Sequence, residues 1–296
     1  MQTNKDFQQH QGLLNGIGQI YFTPTIITSV LFLIAISVES FSLSALTLFG
    51  AASSYVFACY TRKPIDNIYN GMYALNGALV ALFIGNMLEI TPVLVMVTFL
   101  GALFTVPIAT VVFGFKKYLG YTSAFVITSW WIYVAQWSLD ITVFSPSAVE
   151  QAPHTHIATN LEAHLPPFIV TMLKGVSQVS FINNTWTGLI ILVAIMLNNI
   201  QHALWVVLAV AVSTLFSEVI GADDELIAQG LYGYNAVLAT LALVLYPRVS
   251  WVWVILGGVF SCLFTLIFYT LSLLPLTAPF ILSTWAMVYL SSKRHT

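Results

Sequence analysis

The sequence predicts an all-α polytopic membrane protein of about ten transmembrane helices, organised as two inverted five-helix repeats. Three observations carry that expectation: a scarcity of charge, a succession of long charge-free stretches, and an internal repeat at a constant offset. Of 296 residues, 58% are hydrophobic and 7% are charged, against roughly 25% charged in soluble domains. A soluble fold of this size could not keep its surface wet with that inventory. The net charge of −2 gives no basis for a nucleic-acid partner.

A helix needs about 20 apolar residues to cross the hydrocarbon core. Stretches free of Asp, Glu, Lys and Arg run from Phe7 to Val38, Ser40 to Thr61, Asn67 to Leu88, Ile90 to Phe115 and Tyr118 to Leu139. Residues 140–174 are polar, with Pro153, Pro166 and Pro167, three histidines and two glutamates. Beyond them, Gly175 to Ser217 and Val249 to Ser292 are each long enough for two spans, with Leu226 to Pro247 between. The expected domains are a first repeat over 1–145, an extracytoplasmic linker over 146–174 and a second repeat over 175–296. Lys5 and Asp6 precede a long apolar segment without a clear small-residue cleavage site, so the first span is expected to be retained.

Self-similarity supports the division. Gly16-Ile17-Gly18-Gln19-Ile20-Tyr21-Phe22 matches Gly175-Val176-Ser177-Gln178-Val179-Ser180-Phe181 at an offset of 159. Gly71-Met72-Tyr73-Ala74-Leu75-Asn76-Gly77-Ala78-Leu79 matches Gly230-Leu231-Tyr232-Gly233-Tyr234-Asn235-Ala236-Val237-Leu238 at the same offset. Thr122-Ser123-Ala124-Phe125 and Trp130 match Thr277-Ala278-Pro279-Phe280 and Trp285 at 155, so the second half carries a four-residue deletion in between. An odd number of spans per half inverts the second repeat, and transporters so built bind near the midplane where helices are broken. A cytoplasmic N-terminus puts Arg62, Lys63, Lys116, Lys117, Arg248, Lys293 and Arg294 inside, with the linker and the Asp223-Asp224-Glu225 turn outside. Lys174 is the exception. Trp130, Trp131, Trp251 and Trp253 read equally as interfacial anchors or core aromatics.

Polar and aromatic residues that recur in both halves are the candidate functional set. Gln19 and Gln178 precede Phe22 and Phe181 by one turn, so amide and ring can face one cavity, or each amide can cap a short half-helix. Asn76 and Asn235, in Gly-flanked segments, read first as satisfying backbone groups at helix breaks and second as substrate contacts. Thr122 and Thr277 can offer a hydroxyl to a pore or return it to a carbonyl one turn earlier.

No acid or base is duplicated at matching membrane depth: Glu39, Glu89, Asp140 and Glu218 lie near span ends. Ion coupling usually leaves intramembrane ionisable residues behind. His154, His156 and His164 read as a solvated loop in preference to a metal site, and His10, His202 and His295 are scattered. Cys59 and Cys262 read as packing residues. No GxSxG, HExxH or Walker-type motif is present, so neither an enzyme nor a cofactor is expected. The Asn183-Asn184-Thr185 sequon reads as incidental.

Lys174-Gly175-Val176-Ser177-Gln178-Val179, Asn183-Asn184-Thr185-Trp186-Thr187-Gly188-Leu189, Gly230-Leu231-Tyr232-Gly233-Tyr234-Asn235 and Leu274-Pro275-Leu276-Thr277-Ala278-Pro279-Phe280 resemble the urea transporter family in its compact two-repeat bacterial form. With their first-half partners these motifs span most of the chain. The resemblance implies a channel-like facilitator of passive urea transport in the cell inner membrane, a homotrimer embedded in lipid. It implies short broken or re-entrant half-helices around a central pore in each protomer, where urea lies flat between aromatic rings and oxygen atoms along one edge accept its N–H groups.

Carried over by motif, Gln19 with Phe22 and Gln178 with Phe181 form two urea-facing corners. Leu75 with Leu79 and Tyr234 with Leu238 wall the slot, and Thr122 with Thr277 narrow its centre. The chain departs from the pattern at Leu75, where an aromatic is usual, at Tyr234, where phenylalanine is common, and at Thr-Ser-Ala-Phe in place of Thr-Ala-Pro-Phe. The same architecture suits another small neutral solute, such as ammonia or a short amide. An ion-coupled transporter would need the missing intramembrane charges, and an intramembrane enzyme a catalytic pair the sequence lacks.

Overall fold

A computed structural model describes residues 11–115, 119–138, 161–247 and 249–293, and every regular element among them is helical. Lys116, Lys117, Arg248, Arg294, Asp140, His10, His154, His156 and His295 lie outside the described residues, as does the linker before residue 161. The chain divides into two compact units, residues 1–155 and 156–296.

The first unit contains α1 (Gln11–Tyr21), α2 (Ile26–Glu39), α3 (Phe41–Tyr60), α4 (Ile65–Tyr69), α5 (Met72–Met87), α6 (Pro92–Val112) and α7 (Ser123–Ser138). The second contains α8 (Pro167–Ser180), α9 (Thr185–Asn198), α10 (Ile200–Val219), α11 (Asp224–Ala228), α12 (Gly233–Val244), α13 (Trp251–Thr270) and α14 (Ala278–Lys293). The duplication is written into these boundaries. Both ends of α2, α3 and α4 recur 159 residues later in α9, α10 and α11, and both ends of α7 recur 155 residues later in α14. Since α6 and α13 still start at the longer offset, the deletion falls at their far ends: α13 is one residue shorter than α6, and the connection to the next helix shortens from residues 113–122 to 271–277.

Among the described residues four helices, α3, α6, α10 and α13, are long and apolar enough to cross a membrane. The pairs α1–α2 and α8–α9 are bent by 66° and 77°, and counting each pair as one span gives six. The stretch from Phe7 to Val38, continuous by composition, is thus interrupted. Phe22 turns into the left-handed region and Pro24 follows without an N–H, so the ladder cannot continue. Caps restart the chain at equivalent places: the side chains of Thr25 and Asn184 accept the N–H of Thr28 and Thr187, and those of Ser40 and Asn199 open α3 and α10. Asn184 of the sequon is therefore a buried cap.

The buried starts of α7 and α14 pose the hardest problem, because a helix leaves its first N–H groups unpaired and hydrocarbon offers no partner. Asn76 and Asn235, both fully buried on α5 and α12, answer it. Asn76 Oδ1 accepts Phe125 N–H at 2.8 Å and Asn235 Oδ1 accepts Phe280 N–H at 3.2 Å. The remaining first-turn donors of α14 are accounted for as well: Ala278 N–H goes to Pro275 O, Pro279 has none, and Ile281 N–H goes to Thr277 O. The structural reading of the two asparagines is the one the hydrogen bonds support.

Close backbone approach sets the α1–α5 and α8–α12 contacts. Gly71 and Gly230 carry φ of 74° and 75°, and a Cβ on either would run into the backbone nitrogen of Gly16 or Gly175. Lys174, the charge out of place by the positive-inside pattern, is neutralised locally. Its Nζ lies 3.2 Å from Glu162 Oε1, which also accepts the Thr185 hydroxyl at 2.7 Å. Among the tryptophans, Trp131 and Trp251 face outward while Trp130 and Trp253 are half-buried. Cys59 and Cys262 are unlinked packing residues on α3 and α13.

Two stability predictions arise here. Asn76→Leu or Asn235→Leu strands a buried N–H and should cost about 1–3 kcal/mol, read as a lowered melting temperature in detergent. Gly221, at φ 67°, has open space where its Cβ would stand, so Gly221→Ala should cost only the roughly 1–2 kcal/mol of left-handed backbone strain. Gly71→Ala adds the collision with Gly16 and should melt lower than Gly221→Ala in the same assay.

Candidate functional site

Each bent helix pair builds the same corner. In the first unit α1 tightens into a 3₁₀ turn over Gln19–Tyr21 and ends on Phe22 at φ 57°, whose N–H bonds Gln19 O at 3.1 Å. In the second, α8 ends in the 3₁₀ turn Gln178–Ser180 and on Phe181 at φ 60°, with its N–H on Gln178 O at 2.9 Å. A bulky residue in this conformation is an outlier that costs about 1–2 kcal/mol. Strain of this kind concentrates at functional positions, and here it recurs at equivalent residues.

The glutamine amides tie each break to a short helix. Gln19 Nε2 donates to Asn70 O at 3.2 Å, and Gln178 Nε2 donates to Gln229 O at 3.1 Å. Asn70 and Gln229 are the C-terminal caps of α4 and α11, whose last carbonyls lack helical partners. Asn15 adds a second such bond in the first unit, its Nδ2 on Tyr69 O at 2.8 Å. The sequence left two readings of the glutamines, cavity-facing or capping. The hydrogen bonds show the capping use, which engages the amide nitrogen in both halves.

Aromatic rings complete the corners. Phe181 packs edge-on against Tyr234, centroids 6.5 Å apart at 61°. Tyr234 is buried and its hydroxyl donates to Leu276 O at 2.7 Å, a carbonyl that also accepts Asn235 Nδ2 at 3.1 Å. That carbonyl precedes Thr277, which is fully buried at the start of α14. Tyr234, Asn235, Leu276 and Thr277 are therefore brought together in one polar knot within an apolar surround.

In the first unit Phe22 packs edge-on against Tyr121, with centroids 6.1 Å apart at 72°. Tyr121 immediately precedes Thr122, which is buried at the start of α7. Sequence reasoning passed over Tyr121 because the aligned motif starts at Thr122. The signal was one residue upstream, in a tyrosine that aligns with Leu276 at the offset of 155. Leu75 and Leu79, one turn apart on α5, and Leu238, one turn beyond Tyr234 on α12, are the other positions expected to wall a slot, and all three are buried. Among the described residues no group of three or more His, Cys, Asp or Glu is placed to hold a metal.

The family profile described as "Urea transporter" matches residues 10–168 and again 169–296, two copies that together cover nearly the whole chain. Among individual proteins, the chain is similar to urea transporter 1 of Mus musculus, 36% identical over 81 residues, or 27% of this chain and 21% of that protein. It is similar to urea transporter 1 of Ovis aries at 37% over 79 residues, again 27% of this chain and 21% of that protein. The aligned part thus spans about a fifth of the length of these relatives. The profile, met twice along one chain whose helix boundaries repeat in step, shows that this membrane protein belongs to the urea transporter family.

Proposed function

We propose that the protein is a channel-like facilitator that lets urea cross the cell inner membrane down its own gradient through a narrow slot in each protomer. The observation that carries this reading is the duplicated corner. In both halves a left-handed phenylalanine at a helix break meets a tyrosine edge-on, beside a glutamine amide and a threonine at a buried helix start. Flat apolar rings with amide and carbonyl oxygens nearby suit a planar, neutral solute that donates four N–H groups and accepts through one oxygen. None of these corner residues is an acid or a base of the kind that couples transport to ions.

On this reading the five-span repeats are inverted, and Gln19, Phe22, Gln178 and Phe181 face the permeating molecule at the two ends of the slot. Leu75, Leu79, Tyr234 and Leu238 wall it, and Thr122 and Thr277 narrow its middle. Arg62 and Lys63 at the turn after α3, and Lys293 at the end of α14, favour cytoplasmic termini. The homotrimer and the lipid environment implied by the family resemblance belong to the same proposal. The family names of the relatives support urea over ammonia or a short amide as the solute.

Stopped-flow light scattering on proteoliposomes tests it without any ion gradient. Wild type should admit urea far faster than empty liposomes. Gln19→Ala, Gln178→Ala and the isosteric Thr277→Val should each slow entry about 2- to 10-fold, the kinetic equivalent of one lost hydrogen bond. Urea entry no faster than through empty liposomes, with the protein correctly inserted, would overturn the proposal; accumulation above equilibrium under a proton or sodium gradient would replace it with coupled transport.

A further inference from the structure

The two corners are not copies of each other: they exchange a tyrosine and a leucine. The offsets make Leu75 the equivalent of Tyr234 and Tyr121 the equivalent of Leu276. Each corner thus has one tyrosine and one leucine at the same two positions, in opposite order. Despite the exchange, both corners place a tyrosine ring against the left-handed phenylalanine, at 6.1 Å and 72° in the first and 6.5 Å and 61° in the second. From α12 the ring comes off a helix; in the first unit it comes off the turn before α7.

The backbone is indifferent to the swap. Tyr121 and Leu276 sit at φ 44° and 45°, so the left-handed turn accepts either side chain. Both are buried, at 4% and 2% exposure. A turn with that strain has no intrinsic reason to carry tyrosine over leucine. What distinguishes the two turns is the residue opposite: a tyrosine on the helix goes with leucine on the turn, and a leucine on the helix goes with tyrosine on the turn.

We propose that Tyr121 is a specificity-determining residue that supplies the aromatic wall missing at Leu75, so that the first corner recognises a flat neutral solute as the second does through Tyr234. This rests on the urea reading above and assigns its substrate-facing ring in the first half to a different element. If a planar permeant uses that ring surface, losing it lowers discrimination by roughly 2- to 10-fold.

The test compares urea with glycerol, a neutral solute that is not planar, in proteoliposomes containing the full chain. Tyr121→Leu should lower the urea-to-glycerol permeability ratio about 2- to 10-fold. Tyr121→Phe should keep it, because the ring remains. The double variant Tyr121→Leu with Leu75→Tyr, which rebuilds the second-half arrangement, should restore it. Leu276 shows that leucine fits the turn, so Tyr121→Leu is expected to fold, checked by its elution as wild type in detergent. An unchanged ratio in Tyr121→Leu, alongside a reduced one in Tyr234→Leu, overturns the proposal and leaves the urea reading intact. Failure of the double variant to restore a reduced ratio also overturns it, since the ring would then not be exchangeable between the two positions. No urea flux in wild type sinks both.

Discussion

A helix that begins inside a membrane protein has N–H groups that neither water nor lipid will pair, and this fold depends on solving that twice. Asn76 and Asn235 supply the acceptor from a neighbouring helix, each to the third residue of a buried helix start. Once α7 and α14 can begin away from water, the turns before them can be held at depth. Those turns carry Tyr121 and Thr122 in one half, Leu276 and Thr277 in the other. The breaks at Phe22 and Phe181 follow the same logic from the other end, with Gln19 and Gln178 reaching the carbonyls that α4 and α11 leave open. Polar side chains at both breaks thus serve the backbone first.

Duplication explains why so few residues achieve this. Left-handed conformations recur at Phe22 and Phe181, at Gly71 and Gly230, and at Tyr121 and Leu276. A local device that solved the buried-terminus problem once was retained at both copies, and the side chains around it were then free to differ. The Lys174–Glu162 pair is one such difference, since Asn15 holds the equivalent place in the first half and bonds a carbonyl instead. The exchanged tyrosine and leucine are another.

Much of this was legible in the sequence, for physical reasons. Charge depletion and span length follow directly from hydrocarbon thickness, and the repeat could be found because glycines and asparagines with backbone duties align at one offset. The asparagines' role followed from their residue type and Gly-rich setting. What the sequence could not show was where a continuous apolar stretch would break. Phe7 to Val38 has the composition of one helix, yet the left-handed residue is Phe22, a type with no turn propensity. Nor could it show Tyr121, because a ring's partner across a turn depends on tertiary placement and not on position in an aligned motif. The two readings of each glutamine amide, facing a cavity or capping a helix, were likewise inseparable without the acceptor carbonyls in view.

The central claim is that both corners present their rings and amides to one kind of flat neutral molecule. Crystals of the protein soaked with thiourea, whose sulfur marks its position by anomalous scattering, test this most directly. The account predicts sulfur peaks at both corners, beside the Phe22–Tyr121 and the Phe181–Tyr234 ring pairs. Peaks confined to one corner, or bound away from both ring pairs, would contradict it.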